Sequence, residues 1–296
     1  MTDRPSATVL GLGFSALAAL GWGVALAAAR QGVAEGLSPI DLAFIRYSVA
    51  GPLLVAWSIL RWRDRTSRIS FWKACALATL AGPPLAICVI GGTRSAPFAS
   101  GVLVEVASLA VGCIIMARWV LKESLDALRW VALCLLTTRI VLIAGPTLIY
   151  GGMQEQLGIV LFSAAGCMSA AFTALICRWR IAPVSAMALV SLTSFATYGP
   201  LYISNEGLGN LSRASWTLIL EQIVCQGLIA GIGAWIAFIY SARLLGLVRA
   251  TFLPAITPAV AILLSVTLTG ETPALEQLSI MIFSAVGAML LVLRAR

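Results

Sequence analysis

Residues 235–275 read WIAFIYSARLLGLVRATFLPAITPAVAILLSVTLTGETPAL, and their pattern indicates the class of protein. It contains two apolar runs joined by a short turn that carries Arg243 and Arg249. Two apolar runs of about 20 residues with a basic turn between them predict a hairpin of membrane-spanning helices. Pro254 and Pro258 lie inside the second run, where the carbonyl groups that they free need partners in neighbouring protein.

The composition of the whole chain agrees with a membrane protein. Of its 296 residues, 60% are hydrophobic and 11% are charged, and the mean hydropathy is +0.98. A soluble domain carries about 25% charged residues. The length leaves room for about ten spans of 20 residues with short connections, and for little else. We therefore expect an all-α polytopic protein that lies in a lipid bilayer.

Several function classes are disfavoured by residue types. Histidine is absent, and the seven cysteines lack the paired spacing of metal ligands. The net charge of +8 comes from arginines scattered singly between apolar runs, unlike the clustered basic face that binds nucleic acid. We expect no catalytic residue, no metal, no cofactor and no nucleic-acid partner, and we expect a monomer that binds a small molecule.

The distribution of basic residues predicts the orientation in the membrane. The ten predicted spans are 9–29, 40–60, 71–91, 97–118, 128–148, 157–177, 183–203, 217–240, 251–268 and 278–293. With these spans, fifteen of the 20 Lys and Arg residues fall on one side of the membrane. Because cytoplasmic loops are enriched in Lys and Arg, both termini are expected in the cytoplasm of a bacterial-type inner (plasma) membrane.

An internal repeat is visible at an offset of 148 residues. The matches are FSA at 14–16 and 162–164, Arg30 with Arg178, and Glu123 with Glu271. The predicted units, 1–148 and 149–296, each hold five spans, so the second unit must enter the membrane in the opposite sense. Inverted repeats of this kind are typical of transporters, with the substrate site between the halves. Coincidence among helices rich in Ala, Leu and Gly is the alternative explanation.

Three charged residues are predicted to lie deeper than about one helical turn within spans. They are Arg46, Glu105 and Arg139. A charge in the hydrocarbon region costs at least about 3 kcal/mol, so such residues are usually functional or paired. Glu105 with Arg46 or Arg139 could line an aqueous cavity and hold the charged ends of a zwitterion. A buried structural ion pair explains the same residues equally well.

Aromatic residues deep in the spans are further candidates for the cavity. They are Trp22, Tyr198, Trp235 and Tyr240. Trp22 lies between Gly21 and Gly23, deeper than the belt of Trp and Tyr at a membrane surface. Packing is the competing explanation for each of them. The small residues at 227 and 231 have the spacing of a close helix contact.

Two pairs of prolines are predicted to bend spans. They are Pro83 with Pro84, and Pro254 with Pro258. Because proline removes a backbone hydrogen bond, each pair marks a gate or a moving bend. A fixed kink that close packing requires is the alternative.

The second half carries a family resemblance. Trp235, Gly246, the prolines at 254 and 258, and Gly-Glu at 270–271 resemble the drug/metabolite transporter superfamily with EamA-type repeats, and Glu123 supplies the matching end of the first half. Residues 30–39, RQGVAEGLSP, also resemble YddG-type amino-acid exporters of this superfamily.

The resemblance implies ten helices in two inverted halves, a central cavity and alternating access. It also implies a secondary transporter that exports amino acids, aromatic or neutral, and related metabolites, and therefore not an enzyme. Efflux of drug-like or cationic compounds is the alternative within transport. An intramembrane enzyme or a structural scaffold is the alternative of another class. A carrier should contain a cavity of about 300 to 1,000 Å³, whereas a scaffold should be a filled bundle.

Overall fold

The computed structural model describes residues 5–60, 69–124, 127–251 and 253–269, and these residues are helical or in short turns. The α-helices are α1 (Pro5–Ala34), α2 (Pro39–Leu60), α3 (Phe71–Ala81), α4 (Pro83–Ser95), α5 (Phe98–Trp119), α6 (Ala127–Tyr150), α7 (Met153–Trp179), α8 (Pro183–Asn205), α9 (Gly209–Arg213), α10 (Trp216–Gln222), α11 (Trp235–Leu245) and α12 (Thr257–Thr269). A π-helix, Ile223–Ala234, joins α10 to α11 without a break. The tenth predicted span, 278–293, lies outside the described residues.

Nine helical segments in the described ranges are long and apolar enough to cross a membrane. They are Ala7–Ala34, Pro39–Trp57, Phe71–Ser95, Phe98–Trp119, Leu133–Tyr150, Met153–Trp179, Pro183–Asn205, Trp216–Leu245 and Arg249–Leu268. Each overlaps one of the first nine predicted spans. The all-helical, multi-span part of the prediction is therefore confirmed for this part of the chain.

The third span is interrupted at Gly82, immediately before Pro83 and Pro84. Both prolines lie in the first turn of α4. The backbone amides of a first turn have no acceptor within the helix, so proline removes no helical hydrogen bond there. A Cβ on Gly82 would lie 2.1 Å from the carbonyl oxygen of Ala78 and 2.7 Å from Ser194 Oγ. The interruption thus needs a residue without a side chain at 82.

The ninth span differs from the predicted bent α-helix. Pro254 lies in a 3₁₀ turn, Leu253–Ile256, and Pro258 is the second residue of α12. Proline is well tolerated in the first turn because the amide that it lacks would have no partner there. The two prolines therefore mark where the α-helix begins and do not interrupt its interior. Gly246, in the turn before them, has a φ of 87°, which favours glycine.

Helices from the two halves of the sequence pack against one another. The most extensive contacts join α5 to α7, α1 to α12, and α2 to α8. Four further contacts also join the two halves: α4 packs on α7, α11 on α1, α3 on α8, and the π-helix on α2. The centre of the bundle is therefore built from both halves.

Basic side chains from three separate segments meet at one end of the bundle. The Lys73 ammonium lies 5.3 Å from the ring centroid of Trp179. Arg178 Nη1 donates to the Val120 carbonyl at 2.8 Å, and Arg243 donates to a carbonyl between α7 and α8. These contacts place the beginning of α3 and the ends of α5, α7 and α11 together.

Candidate functional site

A small cavity lies where α1, α2, α4, α5, α7, the π-helix, α11 and α12 converge, and its volume is about 50 Å³. Its lining is mostly apolar, with Arg46, Glu105, Ser169 and Thr257 as the polar residues. The volume is far below the about 300 to 1,000 Å³ of typical ligand sites. The helices must therefore separate before a solute the size of an amino acid can enter.

Arg46 and Glu105 bring opposite charges to this cavity. The two residues form no ion pair within 4.0 Å in the described part of the chain. Glu105 Oε2 is buried without a hydrogen-bond partner among the described residues, and so is Arg46 Nε. Both side chains therefore keep bonding capacity that the described protein groups do not use.

Glycines on neighbouring helices lie close to both charged residues. On α7, a Cβ on Gly166 would lie 2.4 Å from the Glu105 carbonyl oxygen and 2.7 Å from the Leu109 amide nitrogen. On the π-helix, a Cβ on Gly231 would lie 3.2 Å from Arg46 Cγ. Small residues thus allow the neighbouring helices to approach the two charged residues closely.

Gly227 makes a similar approach to α2, since a Cβ there would lie 2.6 Å from Val49 Cβ. The predicted close contact at the small residues 227 and 231 is therefore confirmed, and its partner is α2.

An aromatic cluster forms another wall of the cavity. The Trp22 ring lies 5.3 Å from that of Trp235, edge to face at 75°, and 5.0 Å from that of Phe238. The Phe172 ring lies 5.0 Å from that of Trp235 at 85°. Edge-to-face contacts between aromatic rings are favourable and orient them. This wall offers an apolar surface next to the two charges.

A buried amide connects the Arg46 side chain to α1. Gln226 Oε1, on the π-helix, accepts a hydrogen bond from Arg46 Nη2, while Gln226 Nε2 donates to the Ala25 carbonyl at 2.7 Å. One turn earlier, Gln222 Nε2 donates to the Ala28 carbonyl at 2.8 Å. Sequence reasoning did not single out either glutamine. Two amides four residues apart in an apolar span were the available signal, because unpaired amides are costly in hydrocarbon.

Four of the residues predicted for the site come together at this cavity, namely Trp22, Arg46, Glu105 and Trp235. Two others lie elsewhere among the described residues. Tyr198 donates to the Ile40 carbonyl at 3.1 Å, and the Tyr240 ring stacks on Phe14 at 5.3 Å. The side chain of the remaining candidate, Arg139, lies outside the described residues.

A second buried acidic residue, which sequence reasoning also missed, is fully occupied by protein groups. Asp41 accepts hydrogen bonds from the Ser38 amide (2.8 Å), Tyr202 Oη (2.5 Å) and Asn210 Nδ2 (2.6 Å). Its own amide donates to Ser38 Oγ at 3.1 Å, as in a capping box. Asp41 thus stabilises the start of α2 and joins it to α8, and it differs from Glu105 in having no unused oxygen.

Other features of the described residues fit a ligand less well. Two wider grooves of about 510 and 460 Å³ lie beside α2 and contain no charged residue. No group of three or more His, Cys, Asp or Glu residues within the described ranges could hold a metal ion. The central cavity is therefore the candidate site.

The comparisons with known proteins agree with this architecture. The EamA-like transporter family matches residues 9–145. A solved structure, titled only "Crystal structure of protein", matches with a TM-score of 0.64 and 20% identity over 99% of this chain and 100% of its own. No curated protein matches the chain. The chain therefore has the fold of that solved structure, and its first half is similar to the EamA-like transporter family.

Proposed function

We propose that the protein is a secondary transporter that exports small zwitterionic solutes, above all aromatic or neutral amino acids, by alternating access. One observation carries the proposal. Arg46 and Glu105 line the same central cavity, yet within the described chain they are not paired with each other. A zwitterion could place its carboxylate at the guanidinium and its ammonium at the carboxylate.

The energetics favour a ligand over a structural ion pair. Each charge within the hydrocarbon region costs at least about 3 kcal/mol. A structural pair would recover part of this cost by direct contact, but described residues leave Glu105 Oε2 and Arg46 Nε without partners. Arg46 in the cavity also disfavours a site built for cations alone, because its charge would repel them.

The aromatic wall supports the choice of amino acids with apolar side chains. Trp22 and Trp235 lie next to the charges and supply the apolar contact that such a side chain needs. Within one cavity, the two charged residues match the ammonium and carboxylate groups of such an amino acid, and the tryptophan rings match its apolar side chain.

Alternating access is supported by the packing of the two halves. The helix contacts form matching pairs when the first and second halves of the chain are interchanged. The contact of α5 with α7 then corresponds to that of α12 with α1, and the contact of α4 with α7 corresponds to that of α11 with α1. Two inverted five-helix units, 1–148 and 149–296, would produce such exchangeable contacts. Rocking between them would widen the about 50 Å³ cavity toward one side at a time.

The proposed location is a bacterial-type inner membrane with both termini in the cytoplasm. Lys73, Arg178 and Arg243 meet at one end of the bundle. The positive-inside rule assigns such an end to the cytoplasm. Transport from that end to the other would be export.

The test is flux of labelled amino acids through purified protein in liposomes. Glu105→Gln and Trp22→Ala should reduce flux of phenylalanine about tenfold or more while folded yield stays unchanged. The matched controls are Glu155→Gln and Trp119→Ala, because both of those side chains are exposed. If none of the twenty amino acids is carried by the wild-type protein, the proposed function is wrong.

A further inference from the structure

Both the oxygen and the nitrogen of the Gln226 side-chain amide form hydrogen bonds. The residue is fully buried, its oxygen accepts from Arg46 Nη2, and its nitrogen donates to the Ala25 carbonyl. Because the nitrogen is committed to α1, the oxygen is presented to the guanidinium. Gln226 thus holds Arg46 from α2 against the π-helix and α1 at the same time.

This arrangement leaves the guanidinium able to bind an anion. Gln226 is neutral, so its hydrogen bond orients Arg46 without cancelling the positive charge. Arg46 Nε has no partner among the described residues, and a guanidinium has five N–H donors in a fixed plane. A carboxylate can accept two of them side by side only when that plane is held in a suitable orientation.

We propose that Gln226 is the positioning residue that gives the central cavity its preference for solutes with a carboxylate, because it orients Arg46 through a neutral hydrogen bond and adds no negative charge. This inference rests on the proposed function for the site and for the substrate class. A glutamate at 226 would pair with Arg46 and remove that preference. Arg46 would then be neutralised by a directly bonded carboxylate, Glu105 would keep its negative charge, and the cavity would favour amines.

Gln222 offers a matched control in the same segment. It is also fully buried, and its Nε2 donates to the Ala28 carbonyl of α1 at 2.8 Å. It makes no hydrogen bond to Arg46 among the described residues. A merely structural role, the attachment of this segment to α1, would be shared by both glutamines, whereas control of Arg46 belongs to Gln226 alone.

The experiment measures binding to the purified full-length protein by calorimetry, so it does not depend on flux. The three probes share one ring: phenylalanine carries both charges, 3-phenylpropionate only the carboxylate, and phenethylamine only the ammonium. Gln226→Met and Gln226→Glu are compared with Gln222→Met and Gln222→Glu. If Gln226→Glu does not fold, the methionine pair still provides the comparison.

We expect Gln226→Met to weaken the binding of phenylalanine and 3-phenylpropionate about tenfold and to change the affinity for phenethylamine less than about twofold. Gln226→Glu should weaken the binding of the two carboxylate probes further and should strengthen the binding of phenethylamine. The Gln222 variants should keep the wild-type ratio of carboxylate to amine affinity. Equal shifts at 222 and 226, or no shift at 226, would overturn the inference.

The outcomes separate this inference from the proposed function. If the wild-type protein carries no amino acid but binds 3-phenylpropionate in a Gln226-dependent manner, the transport proposal fails and this inference stands. If amino acids are carried and the Gln226 variants keep the wild-type ratio, this inference fails alone. If the wild-type protein binds neither carboxylate probe, this inference is wrong.

Discussion

The contact between α5 and α7 at Gly166 makes a quantitative prediction for Gly166→Ala. The added Cβ would lie 2.4 Å from the Glu105 carbonyl oxygen and 2.7 Å from the Leu109 amide nitrogen. Ordinary contact begins at 3.4 Å, so the helices must separate by about 1 Å. Both neighbouring atoms belong to the backbone, and no rotamer change can relieve the contact.

Overpacking of this kind costs about 1 to 3 kcal/mol, and the absence of a flexible neighbour places Gly166→Ala at about 2 to 3 kcal/mol. The midpoint of thermal unfolding in detergent should fall by about 3 to 5 °C. Because the displaced helix carries Glu105, flux in liposomes should also fall, even at temperatures where the variant is folded.

Gly13→Ala is the control. Gly13 lies inside α1, and a Cβ there meets no atom within 4 Å. Alanine is favoured over glycine in a helix interior by about 1 kcal/mol, so this variant should be as stable as the wild type or more stable. A Gly166→Ala protein that unfolds at the same temperature as Gly13→Ala would refute the close approach of α5 and α7.

Three further predictions follow from other contacts. Asp41→Asn should lower the free energy of unfolding by about 1 to 3 kcal/mol, because the buried carboxylate accepts three hydrogen bonds and a side-chain amide cannot accept all three. As a control, Glu206→Gln at an exposed position should change that free energy little. Arg46→Lys should reduce phenylalanine flux about tenfold at unchanged folded yield, because an ammonium lacks the planar donor pair. In right-side-out vesicles, with the seven native cysteines replaced by serine, an impermeant thiol reagent should label Arg94→Cys and leave Lys73→Cys unlabelled, and the reverse pattern would contradict the proposed orientation.

The spans could be predicted from the sequence because hydropathy is a local property. An apolar run of about 20 residues must satisfy its backbone internally, whatever it later packs against. Arg46 and Glu105 could be singled out for a similar reason, since a charge in such a run is costly by itself. Trp22 and Trp235 were found by their depth below the aromatic belt.

The same local rules failed for residues whose environment depends on neighbours distant in the sequence. Tyr198 and Tyr240 were chosen as aromatic residues of apolar spans, as Trp235 was, but Tyr198 bonds to α2 and the Tyr240 ring stacks on α1, and neither lines the cavity. Pro258 has the sequence context of a kink, yet it begins a helix because the preceding residues form a 3₁₀ turn.

Hydropathy and charge were sufficient to predict a multi-span helical membrane protein with opposite charges within its spans. The free energy of placing an apolar run or a charge in the bilayer depends mainly on that segment alone. The packing of the helices was needed to show that Arg46 and Glu105 share one cavity, and that Gln226 bonds to Arg46 across 180 residues of sequence. Hydrogen bonds and close backbone approaches between helices depend on rotation and separation within the bundle. Glycine contacts between distant helices fix both, and no single span encodes them.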